Sequence, residues 1–120
     1  MCELIEFDNG QYVADIKYKY IRNIAEAAKE CKNISRIVLF GSAAKTVCTN
    51  QSDIDIAVFG KQTKNEYLKS DEFKKFHRKL FSFGGDFSQD YDIIYFCDGI
   101  EYSDRIFTDI KNGAEIYRRA

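Results

Sequence analysis

The residues best suited to chemistry fall in one stretch. Val38-Leu39-Phe40-Gly41-Ser42 is followed, after ten residues, by Asp53-Ile54-Asp55-Ile56-Ala57-Val58. This reads as a buried strand, a tight turn and a second strand that opens with carboxylates at i and i+2. Side chains two apart on a strand share a face, with attachment points about 6–7 Å apart. Carboxylates held that close repel and raise one another's pKa unless positive charge lies between them. A pair of Mg²⁺ ions about 3.5–4 Å apart meets that need, because hard cations take oxygen ligands. Gly41 has no Cβ and lets a backbone N–H approach an oxyanion closely, while Ser42 adds a hydroxyl donor. A donor-rich turn facing two metal-binding carboxylates suits a nucleoside triphosphate. The turn would hold terminal phosphates, and the metals would neutralise charge around the phosphorus under attack.

The elements that must carry this stretch follow from periodicity. Asp8-Asn9-Gly10 is a turn. From Tyr12 to about Cys31, Tyr12, Val13, Ile16, Tyr20, Ile24, Ala28 and Cys31 recur at helical spacing, with Lys17, Lys19, Arg22 and Glu26 on the remainder. That pattern predicts an amphipathic helix ended by Asn33. Arg36 to Phe40 is an apolar strand, and Asp53 to Phe59 a second, closed by Gly60. Asn65 to Phe81 is helical, with a break near Ser70-Asp71 where Asp71 could cap a new start. Gly84-Gly85 ends it. Tyr91 to Phe96 is a third strand, and Ser103 to Lys111 a last helix stopped by Asn112-Gly113. Ala114 to Tyr117 returns as a short extended piece. Strands alternating with helices predict an α/β or α+β sandwich around a small sheet.

Gly41-Ser42, the ten-residue gap and Asp53-Ile54-Asp55 resemble the signature of the nucleotidyltransferase superfamily related to DNA polymerase beta. The resemblance is sharp from Ile37 to Phe59 and looser beyond. At this size the chain is most similar to the minimal nucleotidyltransferases, or MNT domains, as one domain spanning residues 1–120. It implies an α+β nucleotidyltransferase fold, a small mixed sheet flanked by helices. It also implies transfer of NMP, most often AMP from ATP, to an acceptor hydroxyl, with Asp53 and Asp55 holding two Mg²⁺ ions and Gly41 and Ser42 binding phosphates. The superfamily calls for a third carboxylate on a later strand between apolar neighbours. Asp92 in Tyr91-Asp92-Ile93-Ile94-Tyr95-Phe96 fits, as a metal ligand and acceptor of the hydroxyl proton. Asp90 and Asp98 are alternatives outside the strand core, and Asp92 as a plain strand-edge residue is the competing reading. Many relatives follow glycine-serine with arginine-rich sequence, whereas this chain has Ala43-Ala44-Lys45-Thr46. Lys45 keeps one positive charge for a phosphate but lacks arginine's fork, and is equally well read as a solvated lysine. Minimal relatives commonly pair with a helical HEPN partner, antitoxin with toxin, and adenylylate it. A binding-only antitoxin module and a small-molecule nucleotidyltransferase are the other readings in play.

Composition narrows the partners. The 120 residues are 45% hydrophobic and 31% charged, a globular profile for one domain. Eighteen Lys+Arg against nineteen Asp+Glu give −1, which supplies no basic surplus for a nucleic-acid backbone. Apolar runs such as Ile37-Val38-Leu39-Phe40 are far too short to span a membrane. The acidic start Met1-Cys2-Glu3 is unlike a signal peptide, and Cys2, Cys31, Cys48 and Cys97 are scattered, so a cytoplasmic protein with reduced thiols is expected. Ser52 is expected to brace the turn before the carboxylates. His77, the only histidine, shares a helical face with Phe73, Phe76 and Leu80, where packing accounts for it. The aromatic stripe Phe73, Phe76, Phe81 and Phe83 is read as core or subunit interface, and Lys74, Lys75, Arg78 and Lys79 as a solvated basic face. Because most of 120 residues are needed for a nucleotide-and-metal core, the acceptor platform is expected to come from a protein partner, in a homo- or hetero-oligomer.

Overall fold

The computed structural model describes residues 2–7, 10–83, 89–100 and 105–119. The chain runs β1 (Leu4–Glu6), β2 (Tyr12–Ala14), α1 (Tyr18–Lys29), β3 (Ile34–Phe40), β4 (Ile54–Gly60), α2 (Lys64–Lys69), α3 (Asp71–Phe81), β5 (Tyr91–Cys97), α4 (Arg105–Lys111) and β6 (Ala114–Arg118). Four strands form a mixed sheet in the order β5-β4-β3-β6. β3 lies antiparallel to both β4 and β6, while β4 and β5 are parallel. This is an α+β arrangement, a small mixed sheet flanked by helices, as the sequence predicts. The expected turn at Asp8-Asn9, the break at Gly84-Gly85 and the helix start at Ser103 lie outside the described residues.

The first predicted helix begins later than its apolar spacing implies. Tyr12 to Ala14 instead pairs with β1, Ile5 opposite Val13. Val13 and Ala14 are fully buried, so this hairpin uses the apolar residues that mimicked a helical stripe. The Asp15 carboxylate then accepts the N–H groups of Ile16 (2.8 Å) and Glu3 (3.2 Å), turning the chain into one 3₁₀ turn before α1. Nor does Asn33 end α1, which stops at Lys29. Asn33 is buried beyond it, accepting the Gln62 N–H (2.7 Å) and donating to Tyr95 Oη (3.1 Å). The exposed carbonyls at the helix end are met by Arg119, whose Nη2 donates to Ala28 O (3.2 Å) and Cys31 O (2.9 Å).

A capping box starts α2: Thr63 accepts the Glu66 N–H and Glu66 accepts that of Thr63. The predicted break falls as expected, but Ser70 is the cap, its Oγ accepting the Phe73 N–H at 3.1 Å, and Asp71 is the first helical residue. A carboxylate in that first turn still favours the helix through its dipole.

Strand alternation divides the apolar residues between two faces. Ile37 and Leu39 of β3, Ile54, Ile56 and Val58 of β4, and Ile116 of β6 join the larger core with Ile21, Ile24, Phe76 and Leu80 from the helices. Val38, Phe40, Ala57, Phe59 and Phe96 form a smaller cluster on the opposite face with Ile110 of α4. Phe59 stacks on Phe96 there, with centroids 5.3 Å apart. Asp53 and Asp55 continue the Ala57–Phe59 alternation. The carboxylates therefore project on the α4 face, at the end where β4 and β5 begin.

Candidate active site

The sheet register assembles the site. Asp55 of β4 stands opposite Asp92 of the parallel neighbour β5, and opposite Phe40 of β3. Ladder partners share a face, and neighbouring strands lie about 4.8 Å apart. Asp53, two residues before Asp55, belongs to the same face. Gly41 follows Phe40 directly, so the turn after β3 adjoins the carboxylates without any long-range loop.

Gly41 is required there twice over. Its φ is +70°, in the left-handed region, and a Cβ would run into Asp55 Oδ2 and lie 3.1 Å from Asp55 Cγ. Gly41–Ala44 is a single 3₁₀ turn, closed by the Lys45 N–H donating to Ser42 O at 2.9 Å.

Electrostatically the cluster is strained by its own charge. Burial, then Asp92, then Asp53, push the Asp55 carboxyl above the usual carboxylate range. Asp53 and Asp92 are exposed and Asp55 is half-buried. Among the described residues no three His, Cys, Asp or Glu side chains are placed so that together they could hold a metal ion. The donor set nevertheless fits a hard divalent cation: every donor is a carboxylate oxygen on one face, and Asp55 carries a charge cost that positive charge would relieve.

The other expected residues are distributed unevenly around this centre. Ser42 is half-buried, and burial raises the Cys48 thiol pKa while hydrogen bonds from Ser42 and Ser52 hold it down. Lys45 is exposed. Ser52 braces the turn, its Oγ accepting the Thr49 N–H at 2.9 Å. Of the three candidates for the third carboxylate, only Asp92 is in register with Asp55. Asp98 sits past the far end of β5 and accepts the Ser35 hydroxyl at 2.6 Å. Asp90 precedes β5, where its carbonyl accepts the Ile54 N–H at 3.0 Å. His77 packs as expected, stacked on Phe81 with centroids 4.4 Å apart, and burial lowers its pKa. It also lines a cleft of about 300 Å³ with Tyr67, Phe73, Tyr91 and Asp92.

Two residues at the site gave no local signal. Lys17 falls on the polar side of the helical pattern, yet it is 2% exposed. Its Nζ donates to Asn50 O (3.1 Å) and Gln89 Oε1 (2.5 Å). Gln89, also buried, donates from Nε2 to Ser52 O (3.1 Å) and Asp90 O (2.7 Å). Since Lys17 and Gln89 are 72 positions apart, no window-based pattern could pair them.

No helix among the described residues is long and apolar enough to cross a membrane. A comparison with curated proteins gives no match. The family profile "Polymerase beta, Nucleotidyltransferase" matches residues 22–119, from α1 through the end of β6. With Gly41, Asp53, Asp55 and Asp92 gathered on one end of its sheet, the chain belongs to the polymerase beta nucleotidyltransferase family.

Proposed function

We propose that this chain is a single minimal nucleotidyltransferase domain, residues 1–120, that moves AMP from ATP to a hydroxyl of a protein acceptor. The observation that carries the reading is the pairing of Asp55 with Asp92 across β4 and β5, beside a glycine whose missing Cβ leaves room for Asp55. Asp53, Asp55 and Asp92 would hold two Mg²⁺ ions, which would supply charge neutralisation at the triphosphate and relieve the repulsion between the carboxylates. The Gly41–Ala44 turn offers backbone N–H groups and the Ser42 hydroxyl to phosphate oxygens, and Lys45 an exposed positive charge beside them. Asp92, exposed at the start of the edge strand, accepts the proton of the acceptor hydroxyl. The acceptor oxygen bonds to the α-phosphorus, the bond to the bridging oxygen breaks, and pyrophosphate leaves.

The acceptor class rests on the similarity to MNT domains that act as antitoxins on HEPN-type toxins. The near-neutral charge of the chain supports a protein acceptor over a nucleic acid. The test is transfer of label from α-labelled ATP, with Mg²⁺, to a HEPN-type partner encoded beside this chain. Asp53→Ala with Asp55→Ala should abolish labelling, and unchanged labelling would defeat the catalytic reading. The turn sequence Ala43-Ala44-Lys45-Thr46 supports a second reading, a module that neutralises its partner by binding alone. That reading gains if the double variant still silences the partner's toxicity.

A further inference from the structure

Among the described residues, Lys17 is a buried charged side chain to which the proposed reaction gives no part. It is among the most completely buried side chains described. Burying an ammonium is costly, and a fold keeps one only where its hydrogen bonds are well made. Two of those bonds run to the segments that carry the candidate carboxylates. Asn50 and Ser52 belong to the turn that delivers Asp53 and Asp55, and Gln89 and Asp90 belong to the segment that delivers Asp92. Lys17 joins one directly and the other through Gln89, which itself reaches back to Ser52. The first rung between the two carboxylate strands, Ile54 N–H to Asp90 O at 3.0 Å, lies at this junction.

We infer that Lys17, with Gln89, is a positioning residue: it clamps the starts of β4 and β5 so that Asp53, Asp55 and Asp92 present their oxygens to one divalent-cation centre. This rests on the metal-dependent transfer proposed above. A clamp of this kind acts on the transition state through carboxylate placement, for which a displacement of about 1 Å can cost on the order of 100-fold in rate. Its bonds to Asn50 and Gln89 bear on the segments that carry the carboxylates, so its loss should act on catalysis more than on nucleotide binding. The ammonium also lies in the interior, out of reach of the acceptor.

Lys17→Met keeps chain length and burial while removing the donors. Far-UV circular dichroism and melting establish that it is folded, and three readouts follow. The kcat for transfer from ATP should fall about 10- to 100-fold with KM for ATP changed less than about threefold. Binding of Mn²⁺ alone, read by the electron paramagnetic resonance of the free ion, should weaken several-fold. Hydrogen exchange at the Ile54 amide should accelerate, because its acceptor Asp90 is no longer held. Lys17→Arg should restore part of all three. Gln89→Met should reproduce them, and the double variant should be no worse than the worse single, since both cut one network. If Lys17→Met does not fold, Gln89→Met carries the same measurements.

A folded Lys17→Met with wild-type kcat, Mn²⁺ affinity and Ile54 exchange overturns the inference, as does an effect on KM alone. If the wild-type protein neither transfers AMP nor binds Mn²⁺, the functional reading fails by itself. The Ile54 exchange rate still decides whether Lys17 clamps the strands.

Discussion

Replacing Asp55 with Asn should make the protein more stable and less active at once. The side chain keeps its shape and loses one charge from a cluster of three. Asp55 and Asp92 are ladder partners, and Asp53 lies two residues along the strand. Unit charges about 6 Å apart repel by about 0.7 kcal/mol in bulk water and about 2.8 kcal/mol at an effective dielectric of 20. Asp55 is only half-buried, so solvent screening places the gain near the lower figure, on the order of 1 kcal/mol. A domain of 120 residues has an unfolding entropy of roughly 0.25 kcal/mol/K, so melting should rise by about 4 °C. The assay is thermal unfolding of wild type and Asp55→Asn at low ionic strength without divalent cation, across pH. Because the folded-state pKa of Asp55 is raised, its share of stability is full at acid pH and is lost as pH rises through that pKa. The gap between variant and wild type should therefore open toward neutral pH and close in acid. High salt should shrink it. A variant that melts lower than wild type at neutral pH, or higher by the same amount at every pH, refutes the reasoning.

Other positions give sharper single outcomes. Gly41→Ala forces a side chain into the left-handed region, costing about 1–2 kcal/mol, and displaces Asp55, so transfer should fall on the order of 100-fold with a visibly lower melting temperature. His77→Phe should leave kcat and KM unchanged. The His77 pKa is lowered by burial, so its neutral form favours folding above the unfolded value, about 6.5, and that contribution is lost as pH falls. The variant should flatten the acid side of the wild-type stability profile, as read by melting between pH 7 and 5. Burial and then Glu72 push the Cys31 thiol up to about 12, so iodoacetamide at pH 8 should leave Cys31 unmodified in the native protein and alkylate it in urea, as mapped by mass spectrometry.

The candidate site was legible because most of it is local. Asp53-Ile54-Asp55 fixes two carboxylates on one face by strand geometry alone, and Gly41-Ser42 marks the turn beside them. Asp92 was readable as a carboxylate inside an apolar strand, but its pairing with Asp55 depends on how β5 docks. What escaped was set by distant partners. Tyr12, Val13 and Ile16 carry helical spacing, and only pairing with Leu4–Glu6 makes the first of them a strand. Ser70 and Asp71 are both good caps, and the choice between them turns on one side-chain bond, the Ser70 hydroxyl accepting the Phe73 N–H. Lys17 looked like any surface lysine because Gln89 and Asn50 come to it through the tertiary fold.

The mixed character of the sheet also bears on the order in which the site comes into being. β3 and β4 are consecutive antiparallel strands, with the Gly41–Ala44 turn between them, so Gly41, Asp53 and Asp55 can meet through contacts close in sequence. β5 is parallel to β4 and can join it only after the chain has crossed through α2 and α3. Non-local pairings of that kind form late, because chain closure must precede the contacts that reward it. On that order a partly folded chain holds two of the three candidate carboxylates, and Asp92 arrives with β5. Docking of β5 is then also the step that completes the candidate site.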